Sequence, residues 1–136
     1  MSFIGLDFGR KRVGVAISHG IVAEAYKTLS YDEGNTLQFI KKIKDIVNEQ
    51  RAKTIVVGLP LGRNGKDTDQ SNWIKKQAEE HIKQIGLPIE YAEESFSSCE
   101  AAGEIGRKNK KELIDSYSAK IILEQFLNES RSTPLQ

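Results

Sequence analysis

Cys99 is the only cysteine in 136 residues. It can form no internal disulfide, and with two histidines in the chain no Cys/His spacing suggests a zinc site. A reducing, cytoplasmic setting is expected. No apolar run approaches the roughly 20 residues of a membrane helix, and Asp7 and Arg10 interrupt the N-terminal apolar stretch too early for a signal peptide. The chain therefore reads as a soluble intracellular protein without a membrane partner. Charge of one sign is equally scarce. A net charge of +1 supplies no global attraction for a polyanion, so any affinity for nucleic acid has to come from local patches. The stretch GLPLGRNGK also lacks the Gly-Lys-Ser/Thr ending of a phosphate-cradling loop.

What is present suits one domain. Apolar residues make up 38% and charged residues 29%, at a length that buries a real core. A single domain over residues 1–128 with a flexible tail over 129–136 is expected. The segment Phe3 to Ser18, FIGLDFGRKRVGVAIS, reads as two strands joined by a tight basic turn. Alternation puts Phe3, Gly5 and Asp7 on one face of the first strand and Ile4, Leu6 and Phe8 on the other. Asp7 is thus an acid inside an apolar strand, where a buried carboxylate costs several kcal/mol, roughly, unless a cation or hydrogen-bond donors meet it. It is either a functional acid or the residue that begins the turn at Gly9. In the second strand Gly14, Ala16 and Ser18 alternate with Val13, Val15 and Ile17, leaving room for a close neighbour. His19-Gly20 reads as a second hairpin turn into Ile21–Ser30, completing a three-stranded meander.

Beyond Asp32-Glu33-Gly34-Asn35 the period changes. Leu37, Ile40, Ile43 and Val47 recur at helical spacing, with Lys41, Lys42 and Lys44 turned outward. Thr54–Val57 is an uninterrupted apolar run that suits a strand of a parallel sheet. Its carboxyl end opens into the loop Leu59–Thr68, which carries Arg63 and Lys66 where α/β folds place ligands. Asp69 is expected to cap a helix running to about Gln84, with Trp73, Ile74, Ala78 and Ile82 as its apolar stripe. Lys75–Glu79 and Lys76–Glu80 are spaced for surface pairs. A strand follows over Ile89–Glu93, then a capping box from Ser97 to Glu100 opens another helix. Arg107-Lys108-Asn109-Lys110-Lys111 is the densest basic run and leads into a last helix, Leu113–Leu127. There Asp115 shares a stripe with Ala119, Ile122 and Phe126, so it points inward or serves the helix dipole. A meander followed by alternating strands and helices implies a mixed sheet with helices on both faces.

Three acids stand apart from the surface charges: Asp7, Glu93 or Glu94 at the end of the last strand, and Asp115. Clustered carboxylates repel one another unless cations lie between them, and hard oxygen donors without His or Cys select Mg²⁺ or Mn²⁺. Two such ions about 4 Å apart would stabilise both the attacking and the leaving oxygen in phosphodiester hydrolysis.

The blocks GLDFGRKRVGVAIS, VVGLPLGRNG and IDSYSAKIILEQFL resemble the three signature blocks of the YqgF/RuvX family, RNase H-like proteins described as Holliday junction resolvases or pre-16S rRNA nucleases. The resemblance runs from Phe3 to Leu127. It implies an α/β, RNase H-like five-stranded mixed sheet in the order 3-2-1-4-5 with strand 2 antiparallel. It also implies a metal-dependent nuclease site in which Asp7, Glu94 and Asp115 are the catalytic, metal-holding acids. Two departures stand out. The family's Asp-Glu-Arg is here Glu93-Glu94-Ser95, and a serine cannot make an arginine's bidentate phosphate contact. The acid that often ends the second-strand motif is replaced here by His19.

The expected function is endonuclease action on structured nucleic acid, with processing of the 5′ end of precursor 16S rRNA in ribosome biogenesis foremost. Holliday junction resolution and a non-catalytic nucleic-acid-binding module are the alternatives. A nucleotide-binding domain of the actin-like or sugar-kinase type would share the Asp7-Phe8-Gly9 turn, but it needs two copies of such a fold. Arg10, Lys11, Arg12, Arg63, Arg107, Lys108, Lys110 and Lys111 are the candidate phosphate contacts. Both monomer and homodimer fit, since cutting two strands symmetrically asks for two sites.

Overall fold

The computed structural model describes residues 2–62, 65–94 and 110–132, with backbone alone for residues 94, 110–114 and 130–132. The meander forms as expected. β1 (Ser2–Phe8) pairs antiparallel with β2 (Arg12–His19), which pairs antiparallel with β3 (Val22–Ser30). The chain then crosses through α1 (Leu37–Gln50) to β4 (Ala52–Pro60), which lies parallel to β1 on its other side. A second crossover, α2 (Asp69–Glu80) and a 3₁₀ turn over Ile82–Ile85, brings β5 (Ile89–Glu94) parallel to β4. The sheet order is β3-β2-β1-β4-β5, the 3-2-1-4-5 arrangement with the second strand antiparallel. The last described element is α3 (Lys110–Ser132).

The pleat separates two cores. On one face Ile4, Leu6, Phe8, Val13, Val15, Ile17, Ile55, Val57 and Leu59 pack against Phe39, Ile40, Ile43 and Ile46 of α1 and Ile74 and Ala78 of α2. On the other, Ala16, Ala23, Val56 and Ala92 meet Ala119, Ile122, Leu123 and Leu127 of α3, with Phe3 and Phe126 at the rim. β1 and β4 are therefore covered on both sides, which is why their sequences read as continuous apolar runs.

Several local expectations change. Leu37 is 79% exposed, because α1 turns the face carrying Phe39, Ile40, Ile43 and Ile46 to the sheet. α2 is capped by Thr68, not Asp69: the Thr68 hydroxyl accepts from Ser71 N at 3.1 Å and donates to Pro60 O at 2.9 Å, closing the loop that follows β4. The helix stops at Glu80, and the residues expected to extend it tighten into the 3₁₀ turn. Lys75 pairs with Asp67 at 2.7 Å and Glu79 with Lys83 at 3.5 Å, in place of the spaced pairs read from the sequence. α3 continues through Ser132, so residues 129–132 are helical. The Ser97–Glu100 capping box, the helix it would open, Arg63, Arg107 and Lys108 lie outside the described residues.

Candidate active site

The carboxyl ends of the parallel strands β1, β4 and β5 share one edge of the sheet. Asp7 sits at that edge on β1, directly opposite Gly14 of β2 in the antiparallel register. α3 crosses the same spot. A Cβ placed on Gly14 would lie 1.8 Å from the backbone carbonyl oxygen of Asp115, so only glycine lets the helix come this close. Farther along, a Cβ on Gly58 would meet Ile122 Cδ1 at 2.5 Å, and Phe126 reaches Phe3 with ring centroids 5.8 Å apart. α3 thus starts at the site end and runs back over the sheet. Two acids from opposite ends of the chain are brought to one end of one face.

Arg12 completes this corner. It precedes Gly14 by two residues, hence shares its face of β2, and its Nε–H donates to Asp115 Oδ2 at 2.9 Å. Asp7 is half-buried, and it too has an interaction partner. Glu94 is the last residue of β5, in register with Pro60 and two positions beyond Ala92, which faces α3. The backbone therefore brings the third predicted acid to the same edge, two strands from Asp7. Glu93, the other acid at this strand end, is exposed.

Ser118 was not singled out by sequence reasoning. It is fully buried, and its Oγ has no hydrogen-bond partner among the described residues. It lies three residues on from Asp115, the spacing that makes side chains neighbours on a helix. Its signal in the sequence is a hydroxyl within an apolar helical stripe. The predicted basic residues divide. Lys110 and Lys111 begin α3 and so belong to the site end; Lys11 is exposed in the β1–β2 turn. Arg10 leans to the opposite face of the sheet, with Cζ 4.1 Å from the Trp73 ring centroid. His19 is exposed at the far end of β2, where Nδ1 lies 3.4 Å from Ser2 Oγ.

The RuvX family, described as Holliday junction resolvase, matches residues 1–129. This chain belongs to the RuvX family. A Synechocystis relative named "Putative pre-16S rRNA nuclease" is 38% identical over 95% of this chain and 88% of its own length. One from Gloeothece citriformis with the same name is 34% identical over 97% and 91%. Among solved structures, T. thermophilus RuvC in complex with a Holliday junction substrate superposes with a TM-score of 0.58 at 13% identity, over 98% of this chain and 97% of that one. Fowlpox virus resolvase with junction DNA gives 0.53 at 11%, over 98% and 100%. These two share the fold, the RNase H-like sheet of the resolvases. The RuvX assignment makes the chain a nuclease of the phosphodiester hydrolase class.

Among the described residues no three His, Cys, Asp or Glu side chains come together as a metal-holding group, and the predicted third donor, Glu94, is described by its backbone alone. The donor set still fits a hard divalent cation. Asp7 and Asp115 offer oxygen only, and the buried Ser118 hydroxyl, three residues on from Asp115, has no hydrogen-bond partner among the described residues. No helix among the described residues is long and apolar enough to cross a membrane.

Proposed function

We propose that this RuvX-family chain is a Mg²⁺- or Mn²⁺-dependent endonuclease acting on structured RNA, with the 5′ region of precursor 16S rRNA as substrate, in the cytoplasm. The observation that carries the reading is the passage of the Asp115 backbone over Gly14, opposite Asp7, which supports one site made from both acids. Asp7, Glu94 and Asp115 are the carboxylates that would hold the metal. When bound, such an ion supplies Lewis-acid stabilisation of the phosphodiester oxygens and a more acidic water. Arg12 orients Asp115 through its Nε. The amino end of α3 contributes its dipole and the Lys110 and Lys111 charges, both favourable to phosphate at the same edge. Lys11, Arg63, Arg107 and Lys108 are further phosphate contacts in this reading, and among the candidates with described side chains Arg12 is the one paired with a carboxylate.

The relatives' names favour RNA. The family's description favours branched DNA as the second reading, and that reading calls for a homodimer, whereas a trimming nuclease need not be one. A cleavage assay on precursor 16S rRNA and on a four-way DNA junction, each with Mg²⁺ and with Mn²⁺, separates them. Metal-dependent cutting of the precursor that is absent from Asp7→Asn is the expected result. Junction cutting alone would transfer the assignment to DNA, and cutting of neither would leave a non-catalytic binding module.

A further inference from the structure

Arg10 follows β1, three residues after Asp7, and its guanidinium carbon lies over the Trp73 indole, 4.1 Å from the ring centroid. That indole is held from several sides. Its Nε1–H donates to Glu33 Oε1 at 3.1 Å, the other Glu33 oxygen accepts from Gln77 Nε2 at 3.2 Å, and the buried Gln77 Oε1 accepts from the Tyr31 hydroxyl. Tyr31 and Phe8 meet the ring edge-on, with centroids 6.2 and 6.4 Å away. The turn before α1, the outer part of α2 and the end of β1 thus fix one aromatic plane, and the plane fixes an exposed guanidinium. Glu33, the acid of this network, is taken on both oxygens by Trp73 and Gln77, and none of the ion pairs among the described residues involves Arg10. A guanidinium held over an aromatic ring by cation–π attraction still has N–H donors to offer and loses less freedom on gripping an anion bidentately than a free side chain does.

We propose that Arg10, held on Trp73, is a phosphodiester-binding subsite that grips the nucleic-acid backbone on the α1–α2 side of the sheet's carboxyl edge, away from the α3 side where the acids lie. The subsite rests on the nuclease reading. It implies that the bound strand passes over the end of β1 and touches both faces of the sheet.

The test is binding of a fluorescein-labelled RNA hairpin with a single-stranded 5′ extension to the full chain, without divalent ions so that nothing is cut, at several salt concentrations. Arg10→Gln is expected to weaken binding about tenfold and to lower the log–log salt slope by about 0.7–0.9. Arg10→Lys should retain the slope and recover only part of the affinity, because an ammonium neither stacks flat nor forks. An extension made of sugar and phosphate without bases should show the same Arg10 dependence. Trp73 is the only tryptophan, so its emission should change along the same binding curve. Wild-type binding that Arg10→Gln leaves unaltered in affinity and slope would remove the subsite while the nuclease reading stands. An Arg10 dependence that vanishes with the baseless extension would assign the surface to base stacking and overturn the phosphate claim. A wild type that binds no hairpin would overturn both.

Discussion

Arg12 Nε lies 2.9 Å from Asp115 Oδ2, tying β2 to the early part of α3 across 103 residues of sequence. An arginine expected to hold phosphate instead holds one of the predicted acids. The pair is only partly shielded, with the side chains 38% and 26% exposed, so its net contribution to stability is modest, about 1 kcal/mol. Its larger consequence is competition, since any cation that takes Asp115 must share it with Arg12.

Arg12→Gln should therefore separate two effects. The metal-free protein should melt about 3–4 °C lower, the shift that about 1 kcal/mol produces in a chain of this size. Mn²⁺ affinity measured by titration calorimetry should rise, because a competing charge has gone. A fall in Mn²⁺ affinity would mean that Arg12 supports the ion instead of opposing it.

Asp7→Asn keeps the shape of the side chain and removes its charge. If Asp7 holds a catalytic ion, cleavage should fall by roughly three orders of magnitude or more. Folding should survive, since relief of repulsion toward Asp115 and Glu94 offsets weakened hydrogen bonding. Nucleic-acid binding should persist as well. A variant that still cuts but melts far below wild type would make Asp7 a turn residue.

Gly14→Ala probes the crossing directly. The added Cβ would fall 1.8 Å from the Asp115 carbonyl oxygen and 2.8 Å from Ser116 N. These are backbone atoms, which cannot swing aside, so α3 has to lift. Destabilisation of about 3 kcal/mol by denaturant melting is expected, together with loss of cleavage.

Burial pushes the Tyr31 hydroxyl up to about 12, with Glu33 and Glu80 adding to the rise. A raised tyrosine pKa means that the native state favours the neutral ring. Its contribution is complete below pH 10 and drains away between pH 10 and about 12. Tyr31→Phe should flatten that alkaline limb in denaturant melts. At neutral pH it should cost about 1–2 kcal/mol, because buried Gln77 Oε1 loses its donor.

Lys110→Glu with Lys111→Glu reverses the charge at the start of α3. Binding should weaken with little regard to base sequence, and the salt slope should fall by about 1 for each phosphate that the variant no longer neutralises. Unchanged affinity and slope would return both lysines to the solvated surface.

Much of the fold was legible because it follows from period and punctuation. The alternation in β1 gave Asp7 the same face as Phe3 and Gly5, and that face receives α3. Gly14, Ala16 and Ser18 mark a close approach, though nothing in β2 itself names α3 as the partner. Where several residues competed for one role, the sequence was ambiguous. Asp69 has the right residue type for the cap of α2, but Thr68 takes the role because its hydroxyl also reaches Pro60 O. Lys75 had Glu79 at the right spacing, yet the loop offers Asp67 at 2.7 Å, and an i,i+4 pair worth about 0.3–0.5 kcal/mol cannot compete with that.

The order of strands and helices, the parallel run of β4 and the residue types of the three acids were determined by sequence alone, since alternation, helical spacing and oxygen chemistry are local properties. The partners were decided by the tertiary structure. The pairing of Arg12 with Asp115, the contact of Gly14 with the α3 backbone and the stacking of Arg10 on Trp73 each join segments whose separation is set by how the helices pack on the sheet. Packing of that kind depends on the shapes of both surfaces at once, which no single stretch of chain contains.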